Sequence, residues 1–515
     1  MKQASAYSPS IRQSPGSRFR ESTKATGIKK TQSPSRWFFI ALILFLPLHV
    51  SAVVLDKWFV LPPKPMGDGP DYEAIGYGLS QGHGWSTSVS SAGWRSVYQD
   101  VQRPESGLDY SVHLARRGPV LADTNRPPLF PLCIAAIYQI APRGPIAFGI
   151  IRIALACCLS IGCAVALAWG VSLANGMSKV CDSQLATYMG ISMIAIVYSE
   201  RNLRNYTTDF LTEPLALLLT QTFLFIAWWG AQKGNWQWAA VTGATFAGMY
   251  LCRGVFVLWV PFVVFWLWYA YRVTTPQLEV NRLAPIHWVF ASMLVFGMIG
   301  SIWWVRNCCV LESFHPLGTK GATSVMGGYC DEAFQSGGEW QVAPEKRLRR
   351  DLEFQLESAP DSAKDFRDLE IQLDKKANVQ VKNWVADNVD VLPGLFINRV
   401  ITEWNPYQGK AMFLKLFAIV GMLWLSRYNR VALIWLVGPL AINTVVVAMT
   451  YSVGGRFLVP TYGPIYILAA FGFSGTFTHA KLLGNKFLWK RNLIRFRPSS
   501  RCQFDLLRTW PFRIF

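Results

Sequence analysis

The feature that most constrains this chain is its series of long apolar runs. They lie near 37–55, 146–174, 184–199, 211–231, 236–252, 254–271, 287–305, 410–426, 431–450 and 457–477. About 20 consecutive apolar residues are enough for a helix to cross a bilayer. A soluble domain has no comparable place to bury so many. The expectation is an all-α polytopic membrane protein with about ten spans, integral to the plasma or inner membrane. Composition agrees: of 515 residues, 51% are hydrophobic and only 16% charged, against roughly 25% charged in a soluble domain.

The net charge of +19 looks like a nucleic-acid signal until it is mapped. Residues 1–36 carry Lys2, Arg12, Arg18, Arg20, Lys24, Lys29, Lys30 and Arg36 against Glu21 alone. Residues 478–515 carry Lys481, Lys486, Lys490, Arg491, Arg495, Arg497, Arg501, Arg508 and Arg513 against Asp505. Basic segments flanking apolar spans stay cytoplasmic, so both termini are expected inside, near anionic membrane lipid. No basic fold accompanies the tails, so nucleic acid is not expected as a partner. Residues 1–36, rich in Ser, Lys and Arg, read as disordered. The first run reads as an uncleaved anchor, since its basic leader is long and no clean small-residue cleavage site follows.

Two polar stretches interrupt the apolar series. The first, 56–126, is rich in Gly, Ser, Trp and charge. It is followed by a short apolar piece at 127–141, which reads as an interfacial or re-entrant helix. Counting that piece as a span would put one basic tail on the wrong side. The second polar stretch, 306–404, includes 345–383, where Leu and Phe recur at helical spacing among charges, as in amphipathic helices of a small soluble subdomain. The chain therefore divides into a basic tail (1–36), an N-terminal transmembrane module with the outer loop 56–126 (37–305), an extracytoplasmic subdomain (306–404), C-terminal transmembrane helices (405–477) and a second basic tail (478–515).

Most of the ten cysteines, Cys133, Cys157, Cys158, Cys163, Cys181 and Cys252 among them, lie in or beside apolar runs, where Cys behaves as a small hydrophobe. Cys308, Cys309 and Cys330 fall in the second outer stretch and could form one disulfide. No Cys/His spacing reads as a metal site, and no cofactor is expected.

With both tails inside, unusual polar residues gather on the outer face. Asp68, Asp71 and Glu73 lie in the first loop, with Arg126 before a double proline. Asp209 and Glu213 open one span, Arg253 sits between two others, Arg306 and Asn307 end another, and Arg456 opens the last. A single charge at a span end commonly snorkels to water. Several of them on one face, from distant parts of the chain, are costly unless they serve a function. Carboxylates supply a general base; arginines supply forked donors for phosphate. Together beside lipid they suit transfer of a group from a lipid-linked phosphate. Tyr72, Tyr77, His83 and Trp85 could stack on a sugar. The rival readings are a polytopic lipid or solute transporter or flippase, and a polysaccharide ligase or polymerase.

Asp68-x-x-Asp71-Tyr72, followed by Gly82-x-Gly84, resembles the first-loop signature of the GT-C polytopic glycosyltransferases. The nearest branch is the protein O-mannosyltransferase and lipid A aminoarabinose transferase group. Arg126-Pro127-Pro128-Leu129-Phe130-Pro131 resembles the basic-Pro-Pro element of that group. Thr212-Glu213-Pro214-Leu215, Arg253, Trp304-Val305-Arg306-Asn307 and Gly455-Arg456-Phe457-Leu458-Val459-Pro460 resemble further recurring pieces, in the family's order, over about residues 37–475. The resemblance implies a GT-C-type bundle of about 10–12 transmembrane helices, with interfacial helices in the first outer loop. It implies a polyprenyl-phosphate-linked sugar as donor and a lipid, glycan or protein acceptor. Asp68 would deprotonate the acceptor hydroxyl and Asp71 would assist or hold acceptor and loop, with the choice between the two left open. Arg126, Tyr72, Arg253, Arg306, Asn307 and Arg456 would serve the donor phosphate and substrate, and Glu213 would orient an arginine or a sugar hydroxyl. The sequence departs from the mannosyltransferases at Gly69, where they place the Glu of an Asp-Glu pair.

Overall fold

The computed structural model of the protein describes residues 33–64, 67–87, 94, 96–97, 121–177, 184–200, 202–274, 283–357, 366–405 and 409–477. The two basic tails beyond 33 and 477, most of the loop between 88 and 120, and Cys181 lie outside these residues.

Each apolar run forms a helix. In chain order the elements are α1 (Pro34–Val54), α2 (Gly69–Ser80), α3 (Leu129–Ile140), α4 (Pro145–Met177), α5 (Leu185–Ser199), α6 (Asn202–Thr208), α7 (Glu213–Lys233) and α8 (Trp236–Cys252). A 3-10 turn at Gly254–Trp259 leads into α9 (Val260–Thr274), followed by α10 (Pro285–Leu311). The second polar stretch supplies α11 (Lys320–Met326), α12 (Asp331–Gln335), α13 (Ala343–Glu357), α14 (Phe366–Asp387) and α15 (Leu392–Trp404). The chain then forms α16 (Gly409–Tyr428), α17 (Arg430–Met449), a 3-10 turn at Arg456–Thr461 and α18 (462–477). Ser86–Thr87 (β1) pairs antiparallel with Leu121–Ala122 (β2), Ser86 opposite Ala122.

Among the described residues, seven helical segments are long and apolar enough to cross a bilayer: Pro34–Val54, Pro145–Met177, Glu213–Lys233, Gly254–Thr274, Pro285–Leu311, Arg430–Met449 and Arg456–Phe477. The protein is thus an all-α, multi-pass membrane protein. Three expected spans are not among these seven: α5, an apolar helix of 15 residues, α8, of 17 residues, and α16, of 20 residues. α3 has 12 residues, about 18 Å at 1.5 Å per residue, too short for a hydrocarbon core of about 30 Å.

Local chemistry explains the tight connections. α7 ends at Gly234, whose φ of 70° is the left-handed cap that glycine adopts without strain. Asn235 then caps α8 by accepting from the Trp238 N–H at 3.1 Å, so two residues turn the chain between helices. Asn429 alone joins α16 to α17, accepting from the Ala432 N–H at 2.9 Å. α4 packs against α1, α5 and α7, and α7 against α8, which packs in turn on α10. The segment Arg456–Phe477 is the most enclosed, with 89% of its apolar window buried.

In the second polar stretch, α13 and α14 are amphipathic and pair through Leu348, Leu352, Leu369, Leu373 and Ala377, with Ala322 and Met326 of α11 completing a small separate core. The expectation of a disulfide is not met. Cys308, Cys309 and Cys330 are free thiols, because α10 runs on to Leu311 and carries the first two, whereas buried Cys330 caps α12 by accepting from the Ala333 N–H.

Gly421 of α16 and Gly472 of α18 let these two helices approach closely. A Cβ at Gly421 would strike the Leu468 carbonyl, and one at Gly472 the Phe417 carbonyl. Small residues at helix crossings serve this purpose within membranes. Gly421→Val is therefore expected to cost roughly 1–3 kcal/mol, read as a lower unfolding temperature of the detergent-solubilised chain. An unchanged temperature would show that the crossing tolerates separation.

Candidate functional site

Five segments far apart in the chain bring charged side chains to one point. The first is the start of α2. Gly67, at φ 82°, turns the chain in the left-handed region, and Asp68 then sits at the helix N-cap without capping it. Its carboxylate instead points to arginines. Gly69 passes so close to the Asp209 carbonyl that a Cβ there would collide. This gives a steric reason for glycine at position 69. Asp71, one turn into α2, is fully buried.

Arg126 arrives through a polar turn. The Asp123 carboxylate accepts from the backbone N–H groups of Asn125 and Arg126, both at 2.9 Å. This aims the Arg126 side chain at α2, where one nitrogen, Nη2, lies 2.5 Å from Asp71 Oδ2 and 2.9 Å from Asp68 Oδ1. Its guanidinium lies 5.2 Å from the Tyr72 ring centre, and Tyr72 packs edge-on against Phe130.

Glu213, fully buried, opens α7, where a helix N-terminus favours an anion. Arg253, in extended backbone at the end of α8, approaches it at 3.3 Å. Arg456 begins the 3-10 turn that follows Gly455, whose φ of 95° is open to glycine. Arg456 Nε donates to Glu213 Oε1 at 2.7 Å, and Nη2 donates to Asp68 Oδ2 at 3.0 Å. Arg456 therefore bridges the inner carboxylate to the outer one.

The connected cluster among the described residues holds Asp68, Asp71 and Glu213 against Arg126, Arg253 and Arg456, so its formal charges balance. Solvent access is uneven. The Asp68 and Arg456 side chains are 29% and 26% exposed, whereas Asp71 and Glu213 are at 0%. Burial raises the Asp68 pKa, but the guanidinium groups of Arg126, Arg456 and Arg253 more than reverse this and hold it well below the usual carboxylate range. Burial lowers the Arg126 pKa, and Asp68 and Asp71 carry it back well above its ordinary value. Burial pushes the Tyr72 phenol up to about 12, so this hydroxyl stays protonated. Arg126 Nε is buried without a hydrogen-bond acceptor among the described residues, whereas Arg253 Nη1 meets Glu213 Oε1 at 3.3 Å as an ion pair without hydrogen-bond geometry.

Not every sequence candidate joins this cluster. Arg306 donates to the backbone carbonyls of Asp123 and Trp85 and to Asn307, and lies against the Trp303 ring. Asn307 in turn donates to the Pro316 carbonyl at 3.2 Å. Both fasten loops around Arg126 and make no contact with the carboxylates of the cluster. Tyr72 is buried under Arg126, Tyr77 lies under Arg143 and Trp85 packs on Trp303, whereas His83 remains exposed. Glu73 belongs to a separate buried group, accepting from Arg143, Tyr138 and Trp94.

Three anchors escaped the sequence reading. Arg152, fully buried in the second turn of α4, donates to the carbonyls of Phe59, Leu61, Pro62 and Thr208. It fixes the chain entering Asp68 and the chain entering Asp209. Lys64 pairs with Asp209 at 2.8 Å. Glu403, buried in α15, accepts from the N–H groups of Val453, Phe457 and Leu458 at 3.1, 2.7 and 3.1 Å and from the Ser452 hydroxyl at 2.9 Å. It holds the turn that presents Arg456. Glu403→Gln keeps the shape but removes the charge that these donors share. It is expected to cost roughly 1–3 kcal/mol, seen as a lower unfolding temperature, with no loss if water replaces the carboxylate.

Comparison with protein-family models and with curated proteins finds no match to the chain.

Proposed function

We propose that the protein is a membrane glycosyltransferase of the GT-C type. It moves a sugar from a polyprenyl-phosphate donor to an acceptor hydroxyl on the extracytoplasmic face, with inversion. The observation that carries this reading is the position of Asp68. Of the three clustered carboxylates it alone reaches solvent, and it lies between two guanidinium groups brought from positions 126 and 456. A base and a phosphate site are thereby adjacent, as transfer from a glycosyl phosphate requires.

The geometry supports the following chemistry. The phosphate of the donor meets Arg126, Arg253 and Arg456. Arg126 carries a buried Nε–H with no acceptor among the described residues, which an anion would complete. Asp68 takes the proton of the acceptor hydroxyl. The oxygen attacks the anomeric carbon from the face opposite the leaving group, forming the new C–O bond. The bond from the anomeric carbon to the phosphate oxygen breaks, and its electron pair leaves on the polyprenyl phosphate, where the arginines stabilise it. Charge stabilised where it develops is usually the largest catalytic contribution. A covalent sugar intermediate would need a second reachable carboxylate about 5 Å away. Asp71 is close to Asp68 but wholly buried and held by Arg126, which favours inversion and Asp68 as the base. The polyprenyl tail needs an apolar wall. A cleft of about 710 Å³ lined by Trp304, Val305, Cys308, Cys309, Phe314, Pro316 and Leu317 offers one beside Arg306.

Asp68→Asn removes the base without altering shape. Transfer of a radiolabelled sugar from membrane lipid to acceptor is expected to fall by roughly 10²–10⁴, with the unfolding temperature retained. Wild-type transfer rates in a folded Asp68→Asn protein would refute the assignment.

A further inference from the structure

We infer that Asp68 and the donor phosphate compete for the same guanidinium groups, so that donor binding is what frees the base. This rests on the transferase reading above. Among the described residues the cluster is charge-balanced without a ligand, three carboxylates against three arginines. An added anion cannot enter a partly buried, neutral group of charges unless an existing anion gives way or a proton is taken up. The structure distinguishes which carboxylate can give way. Asp71 and Glu213 are fully buried, one inside the first turn of α2 and the other at the first residue of α7. Removing either from its arginine would strand a charge in an apolar site. Asp68 sits at the N-cap, makes no capping hydrogen bond and is 29% exposed. It can swing toward water and lose little.

The arginines are built for such an exchange. Arg456 Nε stays with Glu213 at 2.7 Å, while Nη2, also 2.7 Å from Glu213 Oε1, reaches Asp68 at 3.0 Å. Arg126 Nη2 likewise holds Asp71 at 2.5 Å on its inner side and Asp68 at 2.9 Å on its outer side. Each guanidinium thus keeps a fixed buried partner and one partner that faces solvent. A phosphate oxygen taking the outer place of Asp68 on both arginines would leave the two inner pairs intact.

The consequence is an order of events. Without donor, Asp68 is neutralised by two arginines, and its depressed basicity makes it a poor proton acceptor. Once phosphate holds the arginines, the carboxylate is released beside the anomeric carbon with its ordinary basicity restored. Acceptor hydroxyls are then activated only when a donor is present.

The test is binding, read without turnover. Full-length protein in detergent is titrated with a polyprenyl phosphate carrying no sugar, with the matching polyprenol as control for the tail. Wild type is expected to bind the phosphate and to bind the polyprenol more weakly. Asp68→Asn, which removes the competitor, is expected to bind the phosphate roughly threefold to tenfold more tightly, the scale of a partly exposed ion pair. Asp71→Asn and Glu213→Gln, which remove an inner anchor, are expected not to tighten it. If all three variants tighten binding alike, the effect is only the loss of a nearby negative charge and the exchange is overturned. Unchanged or weaker binding by Asp68→Asn overturns it as well, with the transferase reading left standing. Wild-type protein that prefers the polyprenol, or binds neither, overturns both.

Discussion

Charged groups at the rim of an apolar bundle must find partners inside the protein, and that requirement organises this structure. An ion taken out of water loses several kcal/mol, and only close, hydrogen-bonded opposite charges return it. Here the partners come from α2, the turn before α3, α7, the end of α8 and the turn before α18. Each ion pair is therefore also a long-range tie. No one segment can settle without the others, so the chemistry of the site and the closure of the bundle at that end depend on the same contacts.

The same constraint explains the anchors around the cluster. Backbone outside helices is tolerated near a membrane only where its polar groups are satisfied by the protein. The segments that deliver Asp68, Arg126 and Arg456 are not regular helix. Each is held by a buried or half-buried ion spent on the backbone: Arg152 on four carbonyls before Asp68 and Asp209, Arg306 on those of Trp85 and Asp123, and Glu403 on three N–H groups around Arg456. Cations hold carbonyls and an anion holds amides, as donor and acceptor chemistry demands. The helices of the second polar stretch join this scaffold. Glu370 of α14 accepts from Thr319 and Asn125, the residue before Arg126.

How much of this was legible follows from what each residue contacts. The apolar runs announced the helices, because length and hydropathy are properties of the segment itself. α5 is apolar enough to look like a span and its length sets it apart, whereas α8 is both short and interrupted by polar residues such as Gln237, Thr242 and Thr245. Asp68, Arg126, Glu213, Arg253 and Arg456 stood out as charges at the ends of apolar runs, and the structure brings all five together. Arg306 has the same sequence environment as Arg253, yet it serves the backbone. Nothing in an Arg beside an apolar run says whether its partner will be a carboxylate or a carbonyl. Arg152 and Glu403 were hidden for that reason: their partners are main-chain atoms up to 93 positions away, and main chain carries no sequence signal. The disulfide expectation failed because it counted cysteines in a loop that is in fact the last turn of α10.

A bridging guanidinium does something here that a lysine could not. Arg456 reaches Glu213 through Nε and Nη2 and Asp68 through Nη2, two donors in a rigid plane. The inner bond fixes where the outer donor points, so the outer partner can change without moving the side chain. An ammonium has a single nitrogen; transferring one of its bonds to a new anion lets the whole group follow. At position 456 such a bridge therefore calls for arginine, on a turn that is itself clamped. Glu403 clamps the Arg456 turn, and the Asp123 carboxylate clamps that of Arg126. The rigidity is spent on the cations, and the freedom is left to Asp68.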